Sequence, residues 1–270
     1  RIYAMGLQKA GTTVVGASLA AAMNVTFEPE AVSGCCGSRQ LACYGAPSFL
    51  SGPDWLQSPR LFDGYDLSAY FLTCQDHLKA RVMKADDMLP NAERLSAFVH
   101  LHSLAIRLVY ISRHPFGNVA SLRKWILQAH GELLPTFHNV SSLALLWRAA
   151  TRRFLDARPG TFAAAVRYED VMTSAMDTIQ RAYSQVLGRP IKRRDLDTRA
   201  VFEDVLNQGW PADTSLQDAN ASGASTSTEA LEDAEAVTVH QLCSTEMDSM
   251  GYAADGTALA GWTWTPALAG

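Results

Sequence analysis

The sequence has 270 residues, of which 48% are hydrophobic and 19% are charged, and these proportions are typical of one folded domain with a full apolar core. The formal net charge of −4 at pH 7 argues against a general nucleic-acid-binding protein, because such proteins usually carry an excess of basic residues. Five cysteines in a chain of this length do not make a disulfide scaffold, and no apolar run in the sequence approaches the length of a membrane-spanning helix.

The beginning of the chain predicts a site for an anion. Residues 2–5 predict a buried strand, and a glycine-bounded turn joins them to a helix predicted over residues 12–23. The N–H groups in the first turn of a helix have no partner within the helix, and the helix dipole adds partial positive charge there. Because Lys9 lies inside the turn, it adds a full positive charge to the same place.

Strands and helices alternate along much of the chain. The apolar patterns predict further strands over residues 25–27, 81–84, 106–112 and 161–168. They predict further helices over residues 92–102, 119–133, 142–157, 174–187 and 237–250. This alternation predicts an α/β fold with a central parallel sheet flanked by helices, in a single domain that covers residues 1–270. Ligands of such sheets bind at the carboxyl ends of the strands.

Two segments lack a regular apolar pattern. Residues 31–64 are rich in Gly, Ser, Pro and Cys, and they predict a long loop region. Residues at about 212–236 are small, polar and acidic, which predicts a flexible insert.

The first turn carries a recognisable motif. Gly6 and Gly11 have the separation of the glycines in the nucleotide-binding pattern GxxxxGK[ST], but the lysine of that pattern is replaced by Thr12. The turn resembles the 5′-phosphosulfate loop of the sulfotransferases that use 3′-phosphoadenosine 5′-phosphosulfate (PAPS), whose pattern is close to PK[ST]GTT. The resemblance implies that PAPS is held by Gln8, Lys9, Ala10, Gly11, Thr12 and Thr13.

A second motif follows the apolar run 106–112. Arg113 stands directly after this run and Ser121 lies eight residues further on, so a guanidinium fork and a hydroxyl can face one anion. The pair resembles the 3′-phosphate motif of the same family, RxPxxxxxS. Tyr168, in the segment RYEDV, resembles the family's tyrosine near the adenine, where the acidic pair that follows braces the loop. The segment CSTEMDSMGY resembles the family's last helix.

These resemblances imply a sulfotransferase with a P-loop-like fold, which moves a sulfuryl group from PAPS to an acceptor hydroxyl or amine by in-line displacement. The product of the donor is adenosine 3′,5′-bisphosphate. Lys9 is expected to stabilise the charge that develops on the leaving phosphate. No metal is expected, because Lys9, Arg113 and the helix N-terminus supply positive charge.

The acceptor must lose a proton, so the reaction calls for a carboxylate or a histidine nearby. Cytosolic members of the family use a histidine in a KTHxP-like segment, and residues 84–90 of this chain, KADDMLP, lack it. Carbohydrate sulfotransferases often carry a glutamate before a proline after the second strand, and Glu28 fits that place. Glu28 is therefore the predicted base and Asp86 the alternative. Lys84 matches a lysine that many carbohydrate enzymes hold near the reacting centre.

The pattern is closest to the carbohydrate sulfotransferases of the Golgi. It implies a hydroxyl-bearing acceptor, a carbohydrate or glycolipid, whose contacts come from residues 31–75 and 126–142. Aromatic side chains in the first of these segments favour an acceptor with little charge. Three N-glycosylation sequons, at Asn24, Asn139 and Asn220, agree with a Golgi lumen. Because the chain starts at Arg1 without Met, we expect any membrane anchor to precede it; the oligomeric state stays open.

Three other functions stay open on the sequence. The first is a cytosolic-type sulfotransferase that acts on a small molecule in the cytoplasm. The second is a P-loop nucleotide kinase, which needs the lysine that Thr12 replaces. The third is a nucleotide-binding or carbohydrate-binding module without catalysis, which would bind the donor and never turn it over.

Overall fold

The computed structural model describes residues 1–28, 81–130, 137, 139–197, 200 and 231–265. Within those residues, five strands form one parallel sheet in the order β2-β3-β1-β4-β5. The strands are β1 Ile2–Gly6, β2 Phe27–Glu28, β3 Val82–Lys84, β4 Arg107–Ser112 and β5 Ala164–Arg167. The predicted α/β fold with a parallel sheet in a single domain is confirmed.

Six α-helices are found in the described part of the chain. They are α1 Thr12–Ala22, α2 Ala92–Leu101, α3 Pro115–His130, α4 Val140–Leu155, α5 Tyr168–Leu187 and α6 Asp233–Ser249. Short 3₁₀ helices span Asp86–Asn91 and Arg193–Asp195. None of the helices in the described residues is both long and apolar enough to cross a membrane. The predicted loop over residues 31–64 lies outside the described residues.

Strand β1 is the centre of the fold. It pairs with β3 on one side and with β4 on the other, and all five of its residues are buried. Its side chains alternate between two apolar cores, because successive strand residues point to opposite faces. Tyr3 and Met5 pack with α2, α3, α4 and α6, whereas Ile2 and Ala4 pack with α1 and α5. Since the strand order reverses at β1, the crevice at its carboxyl end is where this topology places a ligand.

Two helices begin earlier than their apolar pattern predicts. Helix α3 begins at Pro115 rather than at residue 119, because proline suits the first helical position, where its missing N–H is not needed. Helix α4 begins at Val140 rather than at residue 142, because the side chain of Asn139 accepts a hydrogen bond from Ser142 N at 2.9 Å and caps the helix. The predicted starts of α3 and α4 were wrong, because the starting proline and the capping asparagine do not show in the spacing of apolar residues.

Helix α5 also begins early. It starts at Tyr168, so β5 ends at Arg167 and is shorter than the predicted strand over residues 161–168. Residue Ser174, the predicted start of the helix, instead has non-helical backbone angles and kinks it.

Helix α6 starts inside the predicted flexible insert. It begins at Asp233, and Glu232 and Glu235 form a capping box there. Residues 233–236 are therefore helical, and that part of the prediction was wrong. Residues 212–230 lie outside the described part of the chain. Cys243, on this helix, is a buried free thiol.

Arg167 anchors the segment that follows α6. Its side chain is only 1% exposed, and it donates to both carboxylate oxygens of Asp170 at 3.0 and 2.7 Å. It also donates to the backbone carbonyl oxygens of Gly251 and Leu259, and its guanidinium lies 4.9 Å from the centre of the Trp262 ring. One buried cation thus fixes residues 251–262 against the carboxyl end of β5.

We predict that Arg167→Met lowers the free energy of unfolding by roughly 3 kcal/mol, because it leaves Asp170 and several buried carbonyl groups without their donor. Urea unfolding followed by circular dichroism measures this loss. Arg158→Met, which changes an exposed arginine, is the matched control and should stay within about 0.5 kcal/mol of the wild type. Equal stability of the two variants would contradict the anchoring role.

Candidate functional site

The turn after β1 is held in close contact with two other segments. A Cβ atom on Gly6 would overlap the carbonyl oxygen of Ile111 in β4, and one on Gly11 would overlap the ring of Tyr168. Gly11 also has a φ of +86°, the left-handed conformation that glycine adopts without strain. Both glycines are therefore needed for β4 and the start of α5 to approach this turn.

Helix α1 begins directly at the turn. Because Gly11 has no side chain, it cannot cap the helix, and the first-turn N–H groups are available to an anion. Thr12 does not cap the helix either. Its hydroxyl donates to Asp86 Oδ2 at 2.9 Å, which ties the start of α1 to the residues after β3.

Arg113 and Ser121 lie together beside the turn. Arg113 Nη1 donates to Ser121 Oγ at 3.0 Å and to the carbonyl oxygen of Lys9 at 3.4 Å. The guanidinium also lies 4.9 Å from the centre of the Tyr168 ring. The structure therefore brings four of the sequence-predicted cofactor residues into one place: Lys9, Arg113, Ser121 and Tyr168.

The Lys9 ammonium lies over an aromatic ring that the sequence motifs did not single out. Lys9 Nζ is 5.6 Å from the centre of the Trp125 ring, within the range of a cation–π contact. Trp125 follows Ser121 by four residues on α3, a spacing that places the two on one face of the helix. That spacing was the signal by which Trp125 could have been found.

The two candidate bases and Lys84 lie at or just after the ends of the neighbouring strands β2 and β3. Asp86 is 5% exposed, accepts the hydrogen bond from Thr12 and lies 3.6 Å from Lys84 Nζ. Glu28 is partly exposed at the end of the edge strand β2, with β3 between it and β1. Two strand spacings put its backbone roughly 10 Å from β1, so the backbone of Glu28 does not touch the turn directly.

A cavity of about 660 Å³ opens beside Arg113 and Tyr168. The N-terminal ends of α3 and α5 form two of its walls, and the segment anchored by Arg167 forms the third, with Gly256 and Trp262 among the lining residues. Its volume is within the range of sites for small ligands. It is large enough for a nucleoside, and Arg113 lines it as well as contacting Ser121 and the turn.

A buried network lies behind the cavity wall. Glu169 Oε1 accepts a hydrogen bond from His114 N at 2.8 Å, and its other oxygen lies 3.2 Å from the hydroxyl of Tyr252, which is also 3.2 Å from Ser112 Oγ. Burial raises the pKa of the Glu169 carboxyl group and the pKa of the Tyr252 hydroxyl. Burial also lowers the pKa of the His114 imidazole to about 4.

Two side chains that the sequence analysis did not identify contact the backbone of the motif residues Gln8 and Arg113. The Asn118 side chain donates to the carbonyl oxygen of Gln8 at 3.1 Å, and Trp147 Nε1 donates to the carbonyl oxygen of Arg113 at 2.9 Å. Both side chains bind backbone atoms, which carry no residue-type pattern, so no sequence signal marks these contacts.

Comparison with known proteins identifies the fold. No protein-family model and no curated protein matches the chain. The sulfotransferase domain of the Synechococcus PCC 7002 olefin synthase is 15% identical to this chain in sequence. The structural match covers 90% of this chain and 93% of that domain, with a TM-score of 0.47. Sulfotransferase STF9 from Mycobacterium avium is 13% identical to this chain in sequence. The structural match covers 96% of this chain and 77% of STF9, with a TM-score of 0.50. At this identity, the likeness to STF9 shows a shared sulfotransferase fold.

We predict that Glu169→Gln stabilises the protein at neutral pH. The folded-state pKa of Glu169 lies above the ordinary value of 4.5, so its ionisation at neutral pH costs stability in the wild type. This cost disappears as the pH falls through the folded-state pKa, and the advantage of the substitution should disappear with it. The substitution keeps the hydrogen bonds of the network, because a glutamine amide can donate to Tyr252 while its oxygen still accepts from His114.

Thermal unfolding of both proteins between pH 8 and pH 5 measures this difference. The folded-state pKa of His114, about 4 because of burial, lies below this pH range, so its imidazole stays neutral in the folded wild type throughout the measurement. Asp248→Asn, on the exposed face of α6, is the control and should show no such pH-dependent difference. An advantage that grows as the pH falls would contradict the raised pKa.

Proposed function

We propose that the protein transfers a sulfuryl group from PAPS to the hydroxyl group of an acceptor. The observation that carries this proposal is the direct contact between the turn after β1 and the Arg113–Ser121 pair. Two anion-binding groups are contiguous there, and a nucleoside-sized cavity opens beside them. A ligand with one anionic group at each end of a nucleoside fits this arrangement better than a nucleoside triphosphate, whose phosphates form a single chain.

The residues present fit the two ends of PAPS. The N–H groups at the start of α1, together with Gln8, Ala10, Gly11, Thr12 and Thr13, would hold the 5′-phosphosulfate. Arg113 and Ser121 would hold the 3′-phosphate, and the Tyr168 ring supports the guanidinium. The adenine would lie in the cavity that Tyr168 lines.

The donor supplies a sulfuryl group whose bond to the phosphate oxygen breaks as the acceptor oxygen bonds to sulfur. Lys9 would place positive charge near that phosphate oxygen, where negative charge develops. Glu28 would take the acceptor proton, because it is partly exposed, whereas Asp86 is buried, accepts from Thr12 and lies 3.6 Å from Lys84 Nζ. Asp86 and Lys84 would then support the start of α1 rather than transfer the proton.

The acceptor we propose is a carbohydrate or glycolipid in the Golgi lumen, with a small molecule in the cytoplasm as the alternative. The segments expected to contact it are residues 31–75 and 126–142, and of these, residues 31–75, 131–136 and 138 lie outside the described residues. An acceptor screen with purified protein and PAPS tests this class. Strong preference for a heparan-like polyanion would contradict the expectation of an acceptor with little charge.

We predict that Lys9→Met lowers kcat for sulfuryl transfer by at least about 100-fold, the effect of removing one preorganised charge from a developing anion. Methionine keeps an unbranched apolar side chain but removes the ammonium group and its contact with Trp125, so affinity for adenosine 3′,5′-bisphosphate should fall as well, by a smaller factor than kcat. Transfer of radiolabelled sulfate measures kcat. Lys192→Met, at an exposed site, is the control. A Lys9→Met protein with wild-type turnover would show that Lys9 has no catalytic role.

We predict that Arg113→Met weakens binding of adenosine 3′,5′-bisphosphate by at least about tenfold and weakens binding of adenosine 5′-monophosphate by a smaller factor, through the lost contact with the Lys9 carbonyl oxygen. The reason is that Arg113 faces the 3′-phosphate, which the monophosphate lacks. Isothermal titration calorimetry measures both affinities. Ser121→Ala should shift them in the same direction by a smaller factor, and Arg158→Met should shift neither. Equal losses of affinity for the two ligands would show that Arg113 and Ser121 do not bind the 3′-phosphate.

A further inference from the structure

The turn after β1 contains a strained residue that needs support. Lys9 has a φ of +66°, in the left-handed region that a residue with a Cβ atom rarely adopts. Such a conformation persists only where surrounding contacts hold it, and it is found most often at functional sites. The contacts that hold Lys9 are therefore part of the anion site.

Two donors hold the backbone on either side of the Lys9 Cα atom. Asn118 Nδ2 donates to the carbonyl oxygen of Gln8 at 3.1 Å, and Arg113 Nη1 donates to the carbonyl oxygen of Lys9 at 3.4 Å. The Gln8 carbonyl and the Lys9 N–H belong to one planar peptide group and point in opposite directions. By fixing the carbonyl, Asn118 also fixes the direction of the Lys9 N–H, which faces away from α3.

Apart from its hydrogen bond to Gln8, the Asn118 side chain is expected to cost stability at its buried position. It is completely buried, and its Oδ1 atom has no hydrogen-bond partner among the residues that the structure describes. The reverse orientation of the amide would set Oδ1 against the carbonyl oxygen of Gln8, two acceptors facing each other. A buried polar atom left without a partner costs stability, so the benefit of Asn118 has to lie elsewhere.

We propose that Asn118 is a positioning residue, which acts through the Gln8 carbonyl to hold the turn in the conformation that binds the 5′-phosphate end of the donor. This inference rests on the proposed function for the identity of the ligand. It assigns Asn118 a role in the affinity for the 5′ end alone, because its contact is with the turn and not with the Arg113–Ser121 pair.

The test compares Asn118→Leu with the wild type by calorimetry, using three ligands. Leucine keeps the branched shape, removes the donor and also removes the unpaired oxygen. We expect affinity for adenosine 5′-monophosphate and for adenosine 3′,5′-bisphosphate to fall about tenfold, as for the loss of one hydrogen bond. Affinity for adenosine 3′-monophosphate should stay within about twofold. The melting temperature should change little, because the substitution removes the unpaired Oδ1 atom together with the donor to the Gln8 carbonyl oxygen.

Asn91→Leu is the matched control, because Asn91 is also a buried asparagine with an unpaired amide atom, Nδ2, among the described residues. It lies at the end of a 3₁₀ helix and should leave all three affinities unchanged. Unchanged affinity of Asn118→Leu for the 5′-phosphate ligands would overturn the proposal. So would equal losses for all three ligands together with a lower melting temperature, which indicate a purely structural role.

Asn118→Asp gives a second readout that depends on pH. At neutral pH the introduced carboxylate cannot donate to Gln8, whereas the protonated acid can, and burial raises the pKa of such a group. Its affinity for adenosine 5′-monophosphate, divided by the wild-type value at the same pH, should therefore rise as the pH falls from 8 to 5. The same ratio for Asn118→Leu should stay flat. Flat ratios for both variants would overturn the proposed contact.

The same titrations separate this proposal from the proposed function. If the wild type binds adenosine 5′-monophosphate as tightly as adenosine 3′,5′-bisphosphate, the assignment of PAPS as the donor fails. The comparison of Asn118→Leu with the wild type still shows whether Asn118 supports binding of the 5′-phosphate. If the wild type binds no 5′-phosphate ligand, the turn is not an anion site and the role of Asn118 is overturned with it.

Discussion

The structure depends on one close approach, between the turn after β1 and the start of the segment after β4. Gly6 makes it possible, because any side chain there would overlap the carbonyl oxygen of Ile111. The parallel pairing of β1 with β4 then brings Arg113 within hydrogen-bonding distance of the Lys9 carbonyl oxygen. Two motifs that are about a hundred residues apart in the sequence become one surface through this contact.

The same edge of the sheet holds three groups that cost stability. Lys9 is in a left-handed conformation, Asn118 buries an oxygen without a partner in the described residues, and burial raises the pKa of Glu169. Similar costs occur away from this edge, because Ser103 is also left-handed and the buried Tyr3 hydroxyl also has no partner in the described residues. What distinguishes the three groups is that they lie together beside the anion-binding turn, where strain is expected at a ligand site.

The sequence predicted the order of strands and helices because apolar periodicity is local. It predicted the pairing of Lys9 with Arg113 only through family resemblance, since neither residue's spacing reveals that β1 and β4 are neighbours. The starts of α3 and α5 were missed, because Pro115 and Tyr168 begin helices through backbone geometry rather than through apolar pattern. Asn118 could not be found at all, since it binds a carbonyl group that every residue has.

A crystal structure of the protein with adenosine 3′,5′-bisphosphate would show where each phosphate binds. We expect the 5′-phosphate on the backbone N–H groups of residues 9–13, the 3′-phosphate between Arg113 and Ser121, and the adenine in the cavity beside Tyr168. We also expect the hydrogen bond from Asn118 to Gln8 to be kept in the complex. A bisphosphate bound with neither phosphate on the turn after β1, or with Arg113 turned away from the ligand, would contradict these expectations.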